Sequence, residues 1–356
     1  MAVKSRKILL GLGTVLLSGL SLIGQEKKGR LSGDFYATSQ YYLEDNLIGA
    51  ETLEDDKKIA LNSAFNLNYT WGDLLVGVRY EAYEPPLLGF ERLLGGRGIT
   101  NRFIKYSLGK FEFTAGNFYE QFGSGMILRS YYEPQLGLDN SIDGGRIKFS
   151  SNGLDITVLR GKNRRYFEKD KSILTGFDLG YDLTKLFPNL MESGVNLDFG
   201  FSLITKTEED DIGLGVPENN TAVSFRTDFS HKGLSLGLEY VNKSEEPHVI
   251  NDLSEYRGQG LLVNAGYSKR GLGLNLTWKY SDNLFFRSDR RSISNVTSQI
   301  NYLPPLSTLS TYRLLNLYPY ATQGNGENGL NANVFFNFKK GTKLGGKYGT
   351  KVSIDA

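Results

Sequence analysis

Alternation of apolar and polar side chains, sustained over unusually long stretches, limits what this chain can become more than any other feature. Residues 61–71 set Leu61, Ser63, Phe65, Leu67, Tyr69 and Trp71 against Asn62, Ala64, Asn66, Asn68 and Thr70. The same period of two returns at 194–204, where Val195, Leu197, Phe199, Phe201 and Leu203 oppose Asn196, Asp198, Gly200 and Ser202. It returns again at 271–280 (Leu272, Leu274, Leu276, Trp278, Tyr280) and in Leu330, Ala332, Val334, Phe336 and Phe338. Successive side chains of a strand point to opposite faces, so each stretch is a ribbon with one apolar and one polar face. About fifteen stretches obey this rule, most roughly 9–12 residues long, the length at which a tilted strand crosses hydrocarbon; strands of soluble sheets average ~5–6.

The connections point the same way. Short turns at Gly72-Asp73, Gly109-Lys110, Asn152-Gly153, His231-Lys232-Gly233, Lys269-Arg270-Gly271 and Lys340-Gly341 carry the residues that tolerate positive φ in tight hairpins. They alternate with longer polar segments at 44–59, 84–100, 123–142, 162–171, 206–219, 243–258 and 283–328; a longer link, Lys185 to Gly194, sits where a short turn belongs. The predicted fold is all-β: an antiparallel transmembrane β-barrel of about 14–16 strands, tight turns at the periplasmic end and long loops outside. The first strand is expected near 31–42 and the fifteenth near 343–353. An odd count, and an end at Val352-Ser353-Ile354-Asp355-Ala356 without a terminal aromatic, predict either one miscounted strand or a barrel that continues beyond this chain.

Lys4, Arg6 and Lys7 precede an apolar run from Ile8 to Ile23, then Gly24 and Gln25. This describes a cleaved secretory signal at 1–24, leaving 25–356 as an outer-membrane barrel domain of a Gram-negative bacterium. A membrane-anchoring helix is the alternative, weakened by Gly11, Gly13 and Gly19. Cys is absent, which excludes a lipid-modified N-terminus, disulfides and thiolate metal sites. Gly reaches 42 residues and Tyr and Phe 21 each, a β-favouring composition. With 41 basic and 39 acidic residues, net charge +2, nothing electrostatic argues for nucleic acid. The expected partners are outer-membrane lipid, lipopolysaccharide and other envelope proteins. Mean hydropathy is that of a soluble chain, as it must be when half of every strand faces water.

Two stretches are more specific than a generic barrel: Gly116 to Arg129 (GNFYEQFGSGMILR) and Leu136 to Arg146 (LGLDNSIDGGR). With Leu67-Asn68-Tyr69 and Arg79-Tyr80-Glu81, they resemble a Bacteroidetes outer-membrane barrel family of unassigned function. The resemblance runs through most of the mature chain and implies location rather than activity.

Candidate sites follow from parity. If Val76, Val78 and Tyr80 face lipid, Arg79 and Glu81 point into the lumen, and so by the same rule do Lys105, Glu112, Arg146 and Lys148. A charge on the lipid face would cost about 2–4 kcal/mol at the midplane, so the polar face must be the inner one. Opposed charges can set a field across a pore or fill a plugged lumen. The segment Phe122 to Tyr132, with Gly123, Gly125 and Arg129, breaks the alternation and is expected to form either a lumenal constriction or, somewhat preferred, an irregularity in the wall. Tyr41, Tyr42, Tyr69, Trp71, Tyr80, Trp278 and Tyr280 fall near strand ends, as interfacial girdles do. No catalytic site, metal site or cofactor is expected. His231 and His248 fall at opposite ends, and the acidic run Glu208, Glu209, Asp210, Asp211 lacks EF-hand spacing and reads as a solvated loop or a loose divalent-ion bridge to lipid phosphates. The function expected is a small-solute channel or a structural component of an envelope complex, without enzymatic activity. A secreted soluble β-rich adhesin is the alternative.

Overall fold

A computed structural model describes residues 29–49, 53, 57–210, 213, 215–253, 255–292, 298–306 and 322–356, with the side chains of 188 and 191 left aside. The expected signal at 1–24 lies outside these residues. The described residues fall into two compact units: one within Met1–Tyr106 with Glu133–Leu138 and Tyr166–Glu168, the other within Ser107–Tyr132, Asp139–Arg165 and Lys169–Ala356.

The first unit is a meander of β1 (Arg30–Tyr41), β2 (Ile59–Trp71), β3 (Leu74–Tyr83) and β4 (Gly96–Leu108, whose last two residues fall in the other unit). Every pairing is antiparallel, and a bulge shifts the β3–β4 register between Arg79 and Tyr80. The second unit continues through β5 (Phe111–Phe118), β6 (Ile142–Ser151), β7 (Leu154–Arg165), β8 (Ile173–Asp182), β9 (Val195–Thr207) and β10 (Asn219–His231). It ends with β11 (Leu234–Lys243), β12 (Gly258–Lys269), β13 (Leu272–Asp282), β14 (Gly326–Phe338) and β15 (Thr350–Asp355). Each strand from β5 to β15 pairs antiparallel with the next. The architecture is all-β and antiparallel, that of a β-barrel wall, with fifteen wall strands among the described residues.

Turn chemistry explains why neighbours in sequence become neighbours in space. Asn152 and Gly153 take φ of 49° and 82°, and Lys232 and Gly233 take 46° and 86°, the left-handed pair that closes a hairpin with the twist of its strands. The long link after β8 holds a 3₁₀ turn, Leu183–Lys185, and a one-turn helix, Pro188–Glu192. One expectation needs correction. The last strand starts at Thr350, not near 343, because Gly341, Gly346 and Gly349 at φ 81°, 57° and 88° coil the preceding segment.

The faces are arranged inside out relative to a soluble protein. On β11 the outward Leu234, Leu236, Leu238 and Tyr240 are exposed, whereas Glu239 and Lys243 on the other face are buried. Phe177, Phe201 and Phe225 form an outward ladder across β8, β9 and β10, with ring centroids 6.3 and 5.1 Å apart. A soluble adhesin would bury such faces in a dry core; here they are left open. In water each exposed leucine forgoes roughly 1 kcal/mol or more that burial in lipid restores.

The second unit curls around material of its own. Phe118, Ile142, Leu159, Leu174, Ile204, Ala222, Val241 and Leu262, one from each of eight successive strands, belong to a single buried apolar cluster. Laid flat, eight strands would span roughly 34 Å. What they curl around is the segment Phe122–Leu128, together with Leu284, Phe286, Ile300 and Leu303 from the β13–β14 connection.

Candidate functional site

The wall's inner face and the segments folded onto it make the candidate site. After β5 the chain leaves the wall. Gln121–Phe122 pairs with Leu128–Arg129 as a small separate hairpin. Its Met126, Ile127 and Leu128 are buried. A Cβ added to Gly176 of β8 would lie 3.0 Å from Phe122, and one on Gly260 of β12 would lie 2.7 Å from Met126 Cε. The Ser124 amide donates to Glu239 Oε2 of β11 at 2.9 Å. The hairpin therefore crosses the concave face, and of the two expectations for this segment the wall irregularity is corrected: the break in alternation marks a departure from the sheet. The physical reason is composition, because Met126, Ile127 and Leu128 in succession cannot be divided between a polar and an apolar face.

A second segment locks onto the first. The Arg129 amide donates to the Ile300 carbonyl at 2.8 Å and the Tyr302 amide to Gly125 at 2.9 Å. Asn301 is buried, and its Nδ2 donates to the Met126 and Leu284 carbonyls at 2.9 and 2.7 Å. One amide thus satisfies two backbone acceptors that would otherwise be buried and unpaired. Asn301→Leu should cost about 2 kcal/mol or more, read as a lower temperature for the heat-induced gel shift of the inserted protein.

The predicted lumen residues divide between the two units. In the first, Arg79 and Glu81 are buried on the inner face and paired at 3.4 Å, while Lys105 is half-buried, in register with Leu75. In the second, Glu112, Arg146 and Lys148 converge. Arg146 reaches Glu112 at 2.8 Å and Glu120 at 2.9 Å, and Lys148 reaches Glu120 at 2.8 Å. Glu120 is a member of this cluster that sequence reasoning missed, although it continues the parity of Glu112, Thr114 and Phe118. Gly123, Gly125 and Arg129 lie on the inward hairpin.

Above the apolar cluster lies a buried charge network that was also missed. Lys206 Nζ contacts Glu246 at 2.7 Å and Glu208 at 3.0 Å, Lys243 contacts Glu246 at 2.9 Å, and Arg290 Nε lies 3.2 Å from Glu208. The acidic run is therefore not a solvated loop at Glu208, which is buried by these cations. Asp210 Oδ2 instead accepts from the Gly215 amide at 2.7 Å, and Asp211 lies outside the described residues. Among the described residues no group of His, Cys, Asp and Glu has the arrangement to hold a metal ion. His231 ends β10, its Nδ1 3.4 Å from the Gly194 carbonyl oxygen, whereas His248 is fully buried in the β11–β12 connection.

Three loop groups make this network pH-dependent. Burial alone would raise the Glu246 carboxyl, but Lys206 and Lys243 outweigh it and hold the pKa down to about 2. Burial pushes the His248 ring down from 6.5 to about 4. Burial pushes Asp170 up from 3.8 to about 6, against its hydrogen bond from Ser288. A depressed carboxyl gives stability that is full above its unfolded value, so the Glu246 contribution is lost as pH falls from about 4.5 towards 2. His248, kept neutral, loses its contribution as pH falls from 6.5 through 4. Asp170 has the opposite sign: its contribution is present at low pH and lost as pH rises from 3.8 through 6. Between pH 6 and 4 the last two offset each other. Wild type should hold its unfolding temperature there and fall only below pH 4, whereas Asp170→Asn should decline from pH 6.5 downward.

Residues 5–356 match the profile of a family described as a family of unknown function, DUF6029. No curated protein matches the chain in sequence. Solved structures similar to it include OmpF of Salmonella typhi in complex with daunomycin, at 12% identity and a TM-score of 0.40, covering 90% of this chain and 89% of that one. A BenF-like porin from Pseudomonas fluorescens Pf-5 matches at 12% identity and 0.38, covering 92% of each chain. Pseudomonas aeruginosa OccK9 (OpdG) matches at 11% and 0.45, covering 93% of this chain and 82% of that one.

Proposed function

The chain belongs to the DUF6029 family, and we propose that it is an outer-membrane channel of a Gram-negative bacterium that passes small solutes without enzymatic chemistry. The observation that carries this reading is the reversal of polarity across the wall. Outward faces such as Leu274, Leu276 and Trp278 are apolar and open, while Lys279, Glu239 and Arg146 on the inner face are buried or half-buried. Lipid is the solvent such an exterior fits, and lipid with lipopolysaccharide is the surrounding partner it implies. The resemblance of the Gly116 to Arg129 stretch to a Bacteroidetes barrel family supports the same location, and the basic and apolar start of the chain supports export through a cleaved signal.

The inner face is solvated enough to serve a polar path. Lys148 keeps 36% of its side chain exposed and Glu112 keeps 27%, so both can act on a passing ion. Solutes would diffuse along these charges and past the two inward segments, which narrow the way. In planar bilayers the purified protein should conduct, and Lys148→Glu should shift the reversal potential towards cation selectivity, less so at high salt where screening shortens the reach of the charge. An unchanged reversal potential would remove Lys148 from the conduction path. Close packing of the inward segments favours one competing role, a structural component of an envelope complex. That role predicts stable co-purification with other envelope proteins and no conductance from the isolated chain.

A further inference from the structure

Arg129 differs from five other buried or half-buried arginines in what it touches. Arg79, Arg146, Arg164, Arg226 and Arg290 each lie within 3.4 Å of a carboxylate. The Arg129 guanidinium instead lies 4.0 Å from the ring centroid of Tyr302 and 4.7 Å from that of Tyr131. No carboxylate among the described residues pairs with it. Its backbone is pinned on both sides, the amide to Ile300 at 2.8 Å and the carbonyl by Asn140 Nδ2 at 3.3 Å. Gly125, at φ +96°, permits the stack, since a Cβ there would sit 3.2 Å from Arg129 Cβ and 3.4 Å from Tyr302 Cβ.

Stacking on tyrosine rings satisfies the faces of a guanidinium and fixes its plane. It leaves the in-plane N–H donors to be met by something else. Arg129 is half-buried, on a hairpin whose Leu128 side is sealed against the wall, so those donors remain within reach of solvent. A planar donor fork that is held in orientation, relieved of internal counter-charge and placed on a segment crossing the inner face suits a planar anion. A carboxylate can meet such a fork with two parallel hydrogen bonds.

We infer that Arg129, held between Tyr131 and Tyr302, is a recognition point for small solutes that carry a carboxylate. The inference rests on the channel reading above and names the class of solute that channel selects. Succinate is a suitable probe, with inorganic phosphate and chloride at matched ionic strength as comparisons.

In planar bilayers succinate should reduce the single-channel current, with the concentration for half-block raised at least tenfold in Arg129→Gln. Arg129→Lys should weaken the block too, because an ammonium keeps the charge without the fork. Tyr302→Phe should retain it, and Tyr302→Leu should not. In parallel, succinate should raise the temperature of the heat-induced gel shift of the wild type and leave Arg129→Gln unmoved, a readout that needs no conduction. Conduction without any succinate effect overturns the inference and leaves the channel standing. Equal effects of succinate, phosphate and chloride overturn it as well, since they mean bare charge rather than a carboxylate site. A protein that does not conduct but is stabilised by succinate through Arg129 overturns the channel and keeps the binding site.

Discussion

Glu246→Ala should destabilise the protein by about 3–5 kcal/mol, the cost of breaking a buried ion pair from one side. Glu246 is the shared counter-charge of two buried lysines, Lys206 at 2.7 Å and Lys243 at 2.9 Å, and its Oε1 also accepts from the Arg287 amide at 3.2 Å. Alanine leaves two ammonium groups that water does not reach. Glu208 can still hold Lys206 at 3.0 Å, but Lys243 keeps the Phe285 carbonyl and the Phe286 ring and has no carboxylate among the described residues. The effect is read as a lower temperature for the heat-induced gel shift and as faster proteolysis of the β11–β12 and β13–β14 connections. The neighbouring Glu245→Ala is the control: its contact with Arg257, at 3.8 Å with both side chains largely exposed, is worth under about 1 kcal/mol. Replacing Lys206 and Lys243 by Met alongside Glu246→Ala should recover much of the loss, because paired removal leaves no orphaned charge. Equal tolerance of the two single substitutions would mean that the network does not hold these loops.

The second large effect belongs to Gly260→Leu, which should raise single-channel conductance several-fold. A Cβ at this position would already come within 2.3 Å of Leu284 Cδ1 and 2.7 Å of Met126 Cε. Those atoms are side-chain ends and can give way to a methyl, but a full isobutyl group competes for the volume the inward segments occupy. Overpacking of this kind costs about 1–3 kcal/mol, and the side free to move is the inserted one, since the wall strand is hydrogen-bonded on both edges. The outward neighbour Leu261→Val should leave conductance alone. Unchanged conductance in Gly260→Leu, with the protein still folded, would show that the segments do not limit the path.

The wall was legible from sequence because its constraint is local. Each residue of β9 or β13 meets lipid or interior by parity alone, and each tight turn advertises itself by Gly or Asn. Parity also sets Arg79 and Glu81 on one face of β3 and Arg146 and Lys148 on one face of β6, opposite the exposed Tyr80 and Ile147. What parity could not supply is which long connections fold back. Phe122 to Tyr132 announced a break in the pattern but not its destination, which depends on Gly176 and Gly260 leaving room on strands far away in sequence. The buried network was missed for a related reason. Lys206 and Lys243 continue the inner parity of Ser202, Ile204, Glu239 and Val241, yet they stand where loops were expected to begin, and a lysine at a loop edge ordinarily reads as solvated.

The central claim is that one face of each wall strand meets lipid and the other the protein interior. The absence of cysteine makes it directly testable, since any introduced thiol is the sole thiol of the chain. Single cysteines at Leu274, Asn275, Leu276 and Thr277 of β13, labelled in intact outer membranes with a fluorescent maleimide, can be challenged by a lipid-borne quencher and an aqueous one. Quenching should alternate: lipid-borne at 274 and 276, aqueous or neither at 275 and 277. If all four respond to the aqueous quencher, or if positions 274 and 276 are sealed from both, the outward faces do not meet lipid and the membrane assignment falls.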